Sequence, residues 1–375
     1  MKRKTVDKLI IYGCLTIFLL LTLIIGGYLE IWLKLKPDMS KINKSAFEVH
    51  FVDVGEGDAT LIRFSSGKTM LIDSGDNVKV KQLTTYIDKV FFNSHKKVFD
   101  YVVLTHSDSD HSGNMDTILD KYKVNNFIRP NILIDGLENY LADGRAKYDN
   151  NNDYVSTITR LYSLEKENKI KVSFAEPDTY IDMGNNAKVH ILSPLKPYYT
   201  TTNDYSIVMI VEDNNEKFML TGDASTDVEN DIINSYDEDV LDVDVLKLSH
   251  HGSDTSTSLD WLDITQPDYA VISVGEDNSY QHPSSAVLDN IEIYNEEHNY
   301  KIKITQTSIL GNIVFYSNNA NQLDMFSIDK IGDYLFLPWW VVVIVLIVVI
   351  GISMFINDFI NLFNRNKATN VRSFK

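Results

Sequence analysis

Two imidazoles and two carboxylates fall within six consecutive residues, at His106, Asp108, Asp110 and His111. Imidazole nitrogen and carboxylate oxygen together suit a divalent cation, and so many ionisable groups this close are costly to hold unless an ion neutralises them. A solvated polar turn explains an isolated histidine. It gives no reason for two histidines interleaved with two aspartates. The tract follows Tyr101-Val102-Val103-Leu104, an apolar run of buried-strand length, and precedes Gly113 and a helical spacing at Met115, Ile118 and Leu119. The ligand-type side chains therefore sit on a loop leaving the C-terminal end of a strand, where α/β proteins place their chemistry.

The elements that must position this loop follow from apolar periodicity. Strands are predicted at 47–54, 59–64 and 69–72, the last two joined by Ser65-Ser66-Gly67-Lys68. Helical spacing at Leu83, Tyr86, Ile87 and Val90 then leads into the strand before the loop, the rhythm of an α/β layer. Residues 131–170 admit two readings, a lid over the site or a surface insertion: 149–153 is a solvated tract, and Val155, Ile158, Leu161 and Leu164 repeat helically. Further strands are predicted at 171–174, 188–192, 206–211, 217–220, 243–248 and 269–274, with helices near 227–234 and 284–293 and closing strands around Lys301 and Ile313. Asp223, His250 and His251 each follow one of these strands, so they converge with the first loop on one sheet edge. Asp223 could instead cap a helix starting near Ser225. His50 and His190 read as strand positions, and His95 and His298 as solvated.

The first tract is similar to the His-x-His-x-Asp-His signature of the metallo-β-lactamase-fold hydrolases, with Asp108 where the second histidine usually stands. That variant resembles the soluble domain of the ComEC competence proteins, and five more stretches match it in order. They are Asp53-Val54-Gly55-Glu56-Gly57-Asp58, Leu71-Ile72-Asp73-Ser74-Gly75, Thr221-Gly222-Asp223, Lys247-Leu248-Ser249-His250-His251-Gly252-Ser253, and the run from Ser273 to Pro283. The resemblance covers the segment from Phe47 to Tyr316 and implies an αββα sandwich of two similar halves. It implies that His106 and Asp108 hold one divalent metal, Asp110, His111 and His251 a second, and that Asp223 bridges them. His251 is the ligand because it precedes Gly252, which leaves His250 to contact substrate or act as general acid; the reverse assignment stays open. Asp73 would support the metal loop from behind, while Asn278 and His282 would sit at the rim beside Asp58. The wider fold places one more metal-binding histidine just before the strand that begins at Ser206. Here Asn203 or Asp204 stands in that place, or water completes the first metal's shell. The oxygen-rich donor set makes Mn²⁺ or Mg²⁺ a rival to Zn²⁺.

Composition bounds the rest. With 375 residues, 44% of them hydrophobic and 23% charged, the chain can bury a full core, and its single cysteine excludes an intrachain disulfide. Residues 9–33 and 334–356 are almost wholly apolar and long enough to cross a bilayer of about 30 Å, the second with Trp339 and Trp340 near its start. Basic residues precede the first span (Lys2, Arg3, Lys4, Lys8) and follow the second (Arg365, Lys367, Arg372, Lys375). The expected organisation is a cytoplasmic terminus and transmembrane helix over 1–33, a linker over 34–46, the hydrolase domain over 47–320, a second transmembrane helix over 334–356, and a cytoplasmic basic tail over 357–375. The first span offers no small-residue cleavage site, which favours an anchor over a signal peptide. Between the spans lie 27 basic and 49 acidic residues, a net charge of −22, so polyanions are repelled at long range.

Two divalent cations, Zn²⁺ or Mn²⁺, lower the pKa of a shared water and clamp the oxygens of a displacement at phosphorus. The expected activity is therefore a membrane-anchored, extracytoplasmic hydrolysis of phosphodiesters by a metal-activated hydroxide, with Asp110 orienting it and His250 serving the leaving group. A nucleic acid substrate would make it a DNA nuclease linked to uptake, and a cell-envelope polymer or lipid head group suits the acidic domain better. A non-catalytic, metal-stabilised binding module is the alternative from another class.

Overall fold

The computed structural model describes residues 47–92, 96–132, 152–276, 278–317 and 322–328. Both apolar spans, the basic flanks, the linker, His95 and the greater part of the 149–153 tract lie outside the described residues. Among the described residues no helix is long and apolar enough to cross a membrane.

Strands β1 (Glu48–Phe51), β2 (Thr60–Arg63), β3 (Thr69–Ile72), β4 (Val98–Val103), β5 (Lys123–Arg129) and β6 (Lys171–Phe174) join β14 (Asn312–Ser317) and β15 (Leu323–Ile328) in one sheet, ordered 15-14-1-2-3-4-5-6. Strands β7 (Thr179–Gly184), β8 (Ala187–Ile191), β9 (Met209–Asp213), β10 (Glu216–Leu220), β11 (Val245–Lys247), β12 (Tyr269–Ile272) and β13 (Lys303–Gln306) form the other, ordered 13-12-11-10-9-8-7. Each sheet is antiparallel on one side and parallel on the other, and the pairing changes at β3 in the first and at β10 in the second. The two halves are thus built alike.

Period-two alternation assigns each strand's faces. Val49 and Phe51 of β1, Val103 of β4, Phe218 and Leu220 of β10 and Val271 of β12 meet in the core between the sheets. Their neighbours Val102, Met219 and Ala270 point the other way, beneath helices. Helices α1 (Val80–Tyr86), α2 (Met115–Lys121) and α3 (Asn152–Lys166) cover the first sheet, and α4 (Thr226–Ile233), α5 (Leu259–Thr265) and α6 (Ser285–Glu297) the second. The order of layers is that of an αββα sandwich. Tyr154, Ile158, Leu161 and Leu164 of α3 are buried against the first sheet, so this part of 131–170 is a layer helix and not a lid.

The structure also departs from the expected elements. Strand β15 pairs along the whole of β14, so the domain continues past residue 320 to at least Ile328. The strand expected from Ser206 starts at Met209, because 203–205 wind into a 3₁₀ turn that sets Asn203 beside His250 on the loop after β11. His50 is buried against Tyr86, with 2.9 Å between Nδ1 and the phenol oxygen. His190 stacks on Tyr180 at 4.0 Å, and His298 on Tyr294 at 4.3 Å.

Candidate metal centre

Parallel pairing lays the carboxyl ends of β3, β4, β10, β11 and β12 along one edge, and every expected site residue lies on a loop at that edge. The loops are locked to one another. Gly57, at φ 122°, lets the Asp53–Asp58 loop close on the first His/Asp loop: a Cβ there would lie 2.2 Å from the Asp110 carbonyl oxygen. The Asp58 amide donates to that same oxygen at 3.1 Å. Asp73, itself at a left-handed φ of 59°, accepts from the Thr105 amide and hydroxyl, each at 2.7 Å, and from His111 Nδ1 at 2.7 Å. The carboxylate thereby turns Nε2 of His111 toward the centre.

Asp110, His111, Asp223 and His251 each offer a donor atom, all within 4.8 Å of one another. His111 Nε2 is 3.1 Å from Asp223 Oδ1, and His251 Nε2 is 3.1 Å from Asp110 Oδ2 and 3.6 Å from Asp223 Oδ2. His251 donates its Nδ1–H to the Ser273 carbonyl at 2.8 Å, which likewise frees Nε2. His106 and Asp108 stand wider apart: His106 Nε2 is 3.9 Å from both Asp108 Oδ2 and Asp223 Oδ2, and Asp108 Oδ1 accepts from the Thr202 hydroxyl at 2.8 Å. The Nε2 atoms of His106 and His111 and Oδ1 of Asp223 are buried without a hydrogen-bond partner. Buried polar atoms left unpaired are rare; two of these belong to the converging set and the third, His106 Nε2, is 3.9 Å from that set's Asp223, so the residues fit a divalent cation.

Electrostatics agree. Burial and the neighbouring His111 push the His106 imidazole below its ordinary pKa. Burial works against charge on His111 and His251 as well, but Asp223 and its fellow carboxylates outweigh it: His111 lies well above the usual range and His251 is raised to about 9. Despite burial, Asp223 is held well below the carboxylate range, chiefly by His111 and His251, and Asp110 is lowered in the same way. Imidazoles and carboxylates thus offset one another in this buried cluster, and a cation binding to the same atoms would compete with protons there.

His250 and His251 both adopt left-handed φ, 49° and 57°, a strained pair that points the two rings apart. His251 is buried in the donor cluster. His250 is part-exposed on the cavity wall, with Nε2 3.8 Å from Asp223 Oδ2 and 3.5 Å from Asn203 Nδ2, and Nδ1 3.0 Å from the Thr255 hydroxyl. Ser206 Oγ accepts from the Asp223 amide at 3.0 Å and lies 3.4 Å from His106 Nδ1. Asp204 turns away to accept from Ser225, so of the two candidates for the missing histidine only Asn203 faces the site. His282 is at the rim, its ring 5.7 Å from His250 and 6.3 Å from His251. Asn278 binds its own loop instead, accepting from the His282 amide at 2.7 Å and donating to the His282 carbonyl at 2.9 Å.

One expected position is corrected. Asp58 is not at the rim: it is buried beneath the centre, where Lys247 Nζ meets its Oδ2 at 2.6 Å. The carboxylate beside His282 is Glu56, 3.6 Å away. Sequence reading missed Lys247 and Glu56. The available signals are a lysine ending an apolar strand and a glutamate between two glycines. The centre opens into a cavity of about 450 Å³ whose wall includes Glu56, Asp76, Asp108, His250, Tyr280 and His282.

With this geometry the chain can be set beside known proteins. Residues 52–276 match the metallo-β-lactamase superfamily model, and the chain belongs to that superfamily. Recombination protein 2 of Haemophilus influenzae is 27% identical over 273 residues, which is 73% of this chain and 29% of that protein. ComE operon protein 3 of Bacillus subtilis is 24% identical over 293 residues, 74% of this chain and 34% of that protein. Competence protein ComA of Neisseria gonorrhoeae is 25% identical over 280 residues, 75% and 33% respectively. The relatives agree with the ComEC-type resemblance, and this chain spans about a third of their length.

Proposed function

We propose that the chain is a metal-dependent phosphodiester hydrolase. The observation that supports this most is the compact set Asp110, His111, Asp223 and His251, open to a cavity with His250 on its wall. These four residues would hold one divalent cation, and His106, Asp108 and Asp223 a second, with Asp223 shared. Such ions polarise a phosphoryl oxygen and lower the pKa of water. Asp110, on the open side of the set, is placed to accept a proton from an attacking water as well as to bind metal. His250 is placed to protonate a leaving oxygen, since Nε2 faces the cavity while Nδ1 is engaged by Thr255. Among the described residues no lysine or arginine lines the cavity, so a substrate phosphate depends on the bound ions for attraction.

Full-length protein in detergent should turn over bis(p-nitrophenyl) phosphate with Mn²⁺ or Zn²⁺ and stop on chelation. Silence under every divalent metal, with metal nevertheless bound, would leave the non-catalytic binding module as the better account. A second reading within this class is a nuclease acting on DNA during uptake, in keeping with a relative named as a competence protein. The acidic wall and the net charge of −22 between the spans favour a cell-envelope polymer or lipid head group instead. Initial rates on single-stranded DNA and on purified wall polymer separate the two.

The domain is assigned to the outer side of the cell membrane, tethered by spans 9–33 and 334–356. Two spans put both termini on one side, and the basic clusters Lys2–Lys8 and Arg365–Lys375 favour the cytoplasm. Protease added to intact cells should cut the domain. Protection in intact cells, with cutting only after lysis, would reverse the orientation and move the substrate search to the cytoplasm.

A further inference from the structure

Lys247 closes β11 and is 2% exposed, and no step above uses it. Its Nζ is 2.6 Å from Asp58 Oδ2 and reaches the carbonyl oxygens of Leu248 at 3.2 Å and Gly222 at 3.4 Å, so all three of its protons have an acceptor. Asp58 is itself 3% exposed, and its Oδ1 has no hydrogen-bond partner. The two oxygens of Asp58 lie 3.8 Å from Nδ1 of His111 and 3.8 Å from Nδ1 of His251, directly behind two members of the donor set. Asp58, Asp73 and His111 also bring donor atoms within 4.8 Å of one another, close enough for a divalent ion to span.

We propose that the Lys247 ammonium is a built-in cation that fills this buried carboxylate pocket and thereby limits the number of divalent ions the centre takes up. A lysine retained for packing alone could be replaced by an apolar chain of equal length, because burying an ammonium is costly unless its charge is matched. Here the match is Asp58. Removing the ammonium leaves Asp58 without its counter-charge, beside Asp73 and His111. The pocket then attracts a metal ion. The sign separates this role from a structural one, since a residue that only shapes the site would weaken metal binding when lost.

The proposal rests on the metal reading, and the test keeps the two apart. Full-length protein in detergent is equilibrated with Mn²⁺ or Zn²⁺, passed through gel filtration and assayed for metal per chain, with circular dichroism to verify folding. K247M should carry more metal per chain than wild type, and K247R should match wild type. D58N, which leaves the ammonium without its carboxylate behind the ligands, should raise the half-saturating metal concentration by about tenfold. The double variant D58N/K247M should return toward the wild-type count. Folded K247M with equal or less metal overturns the proposal, as does a double variant that holds as much as K247M. If K247M does not fold, D58N decides: unchanged or tighter metal binding overturns it. Wild-type protein that binds no metal overturns the metal reading itself.

Discussion

Asp223→Asn is expected to lower kcat/KM on a phosphodiester by roughly 10²–10³-fold, the scale of losing one fixed electrostatic anchor of a transition state, or about 3–4 kcal/mol. Among the described residues, Asp223 is the one carboxylate near four imidazoles, with oxygens 3.1 Å from His111, 3.6 Å from His251, 3.8 Å from His250 and 3.9 Å from His106. It is also the residue common to both proposed metal positions. Asparagine keeps the shape and the Ser206 contact of the backbone amide but removes the charge. Metal retained through gel filtration should therefore fall together with turnover. Asp204→Asn is the control, because Asp204 follows Asn203 in the same 3₁₀ turn yet accepts from the Ser225 hydroxyl instead of facing the centre. A D223N protein that keeps its metal and stays within tenfold of wild-type turnover would remove Asp223 from the centre.

The donor residues are legible in sequence because metal chemistry demands rare residue types at strand ends, and β4, β10 and β11 each carry a recognisable apolar run before them. Depth is not legible. Asp58 and Glu56 sit two positions apart in one glycine-rich loop, and nothing in their spacing says that the first is buried under the imidazoles while the second lines the cavity. Lys247 hides for a related reason: a lysine after an apolar strand reads as a solvated end, and only the opposing loop supplies the carboxylate that draws it inward. Strand β5 escapes periodicity because Asn125 and Asn126 interrupt it; their amides bond Asp100 on the neighbouring strand, so polar residues there are consistent with pairing. Strand β15 falls beyond the last matching motif. Its Leu323 and Met325 pack toward the inter-sheet core, a role that only the pairing with β14 reveals.

The second large effect is expected at Asp73, where support and chemistry can be pulled apart. Its carboxylate is 1% exposed and accepts three protons, from the Thr105 amide, the Thr105 hydroxyl and His111 Nδ1. Asp73→Ala leaves these buried donors unmatched, at about 1–3 kcal/mol each before relaxation, and places a Cβ without a polar group at φ 59°. A loss of roughly 3–5 kcal/mol of stability follows, since repacking recovers part of the sum. Metal affinity should fall about 10–100-fold as well, the usual cost of losing the group that orients a ligating imidazole. Asp73→Asn tolerates the left-handed backbone and retains one oxygen, so it should lose less stability. Its amide nitrogen cannot accept, however: in one orientation the Thr105 amide loses its acceptor, and in the other the Thr105 hydroxyl and the His111 Nδ1–H both do. Chemical denaturation and metal titration of the two variants test this directly. If both variants lose stability while metal affinity stays at the wild-type value, Asp73 holds the loop but does not orient His111.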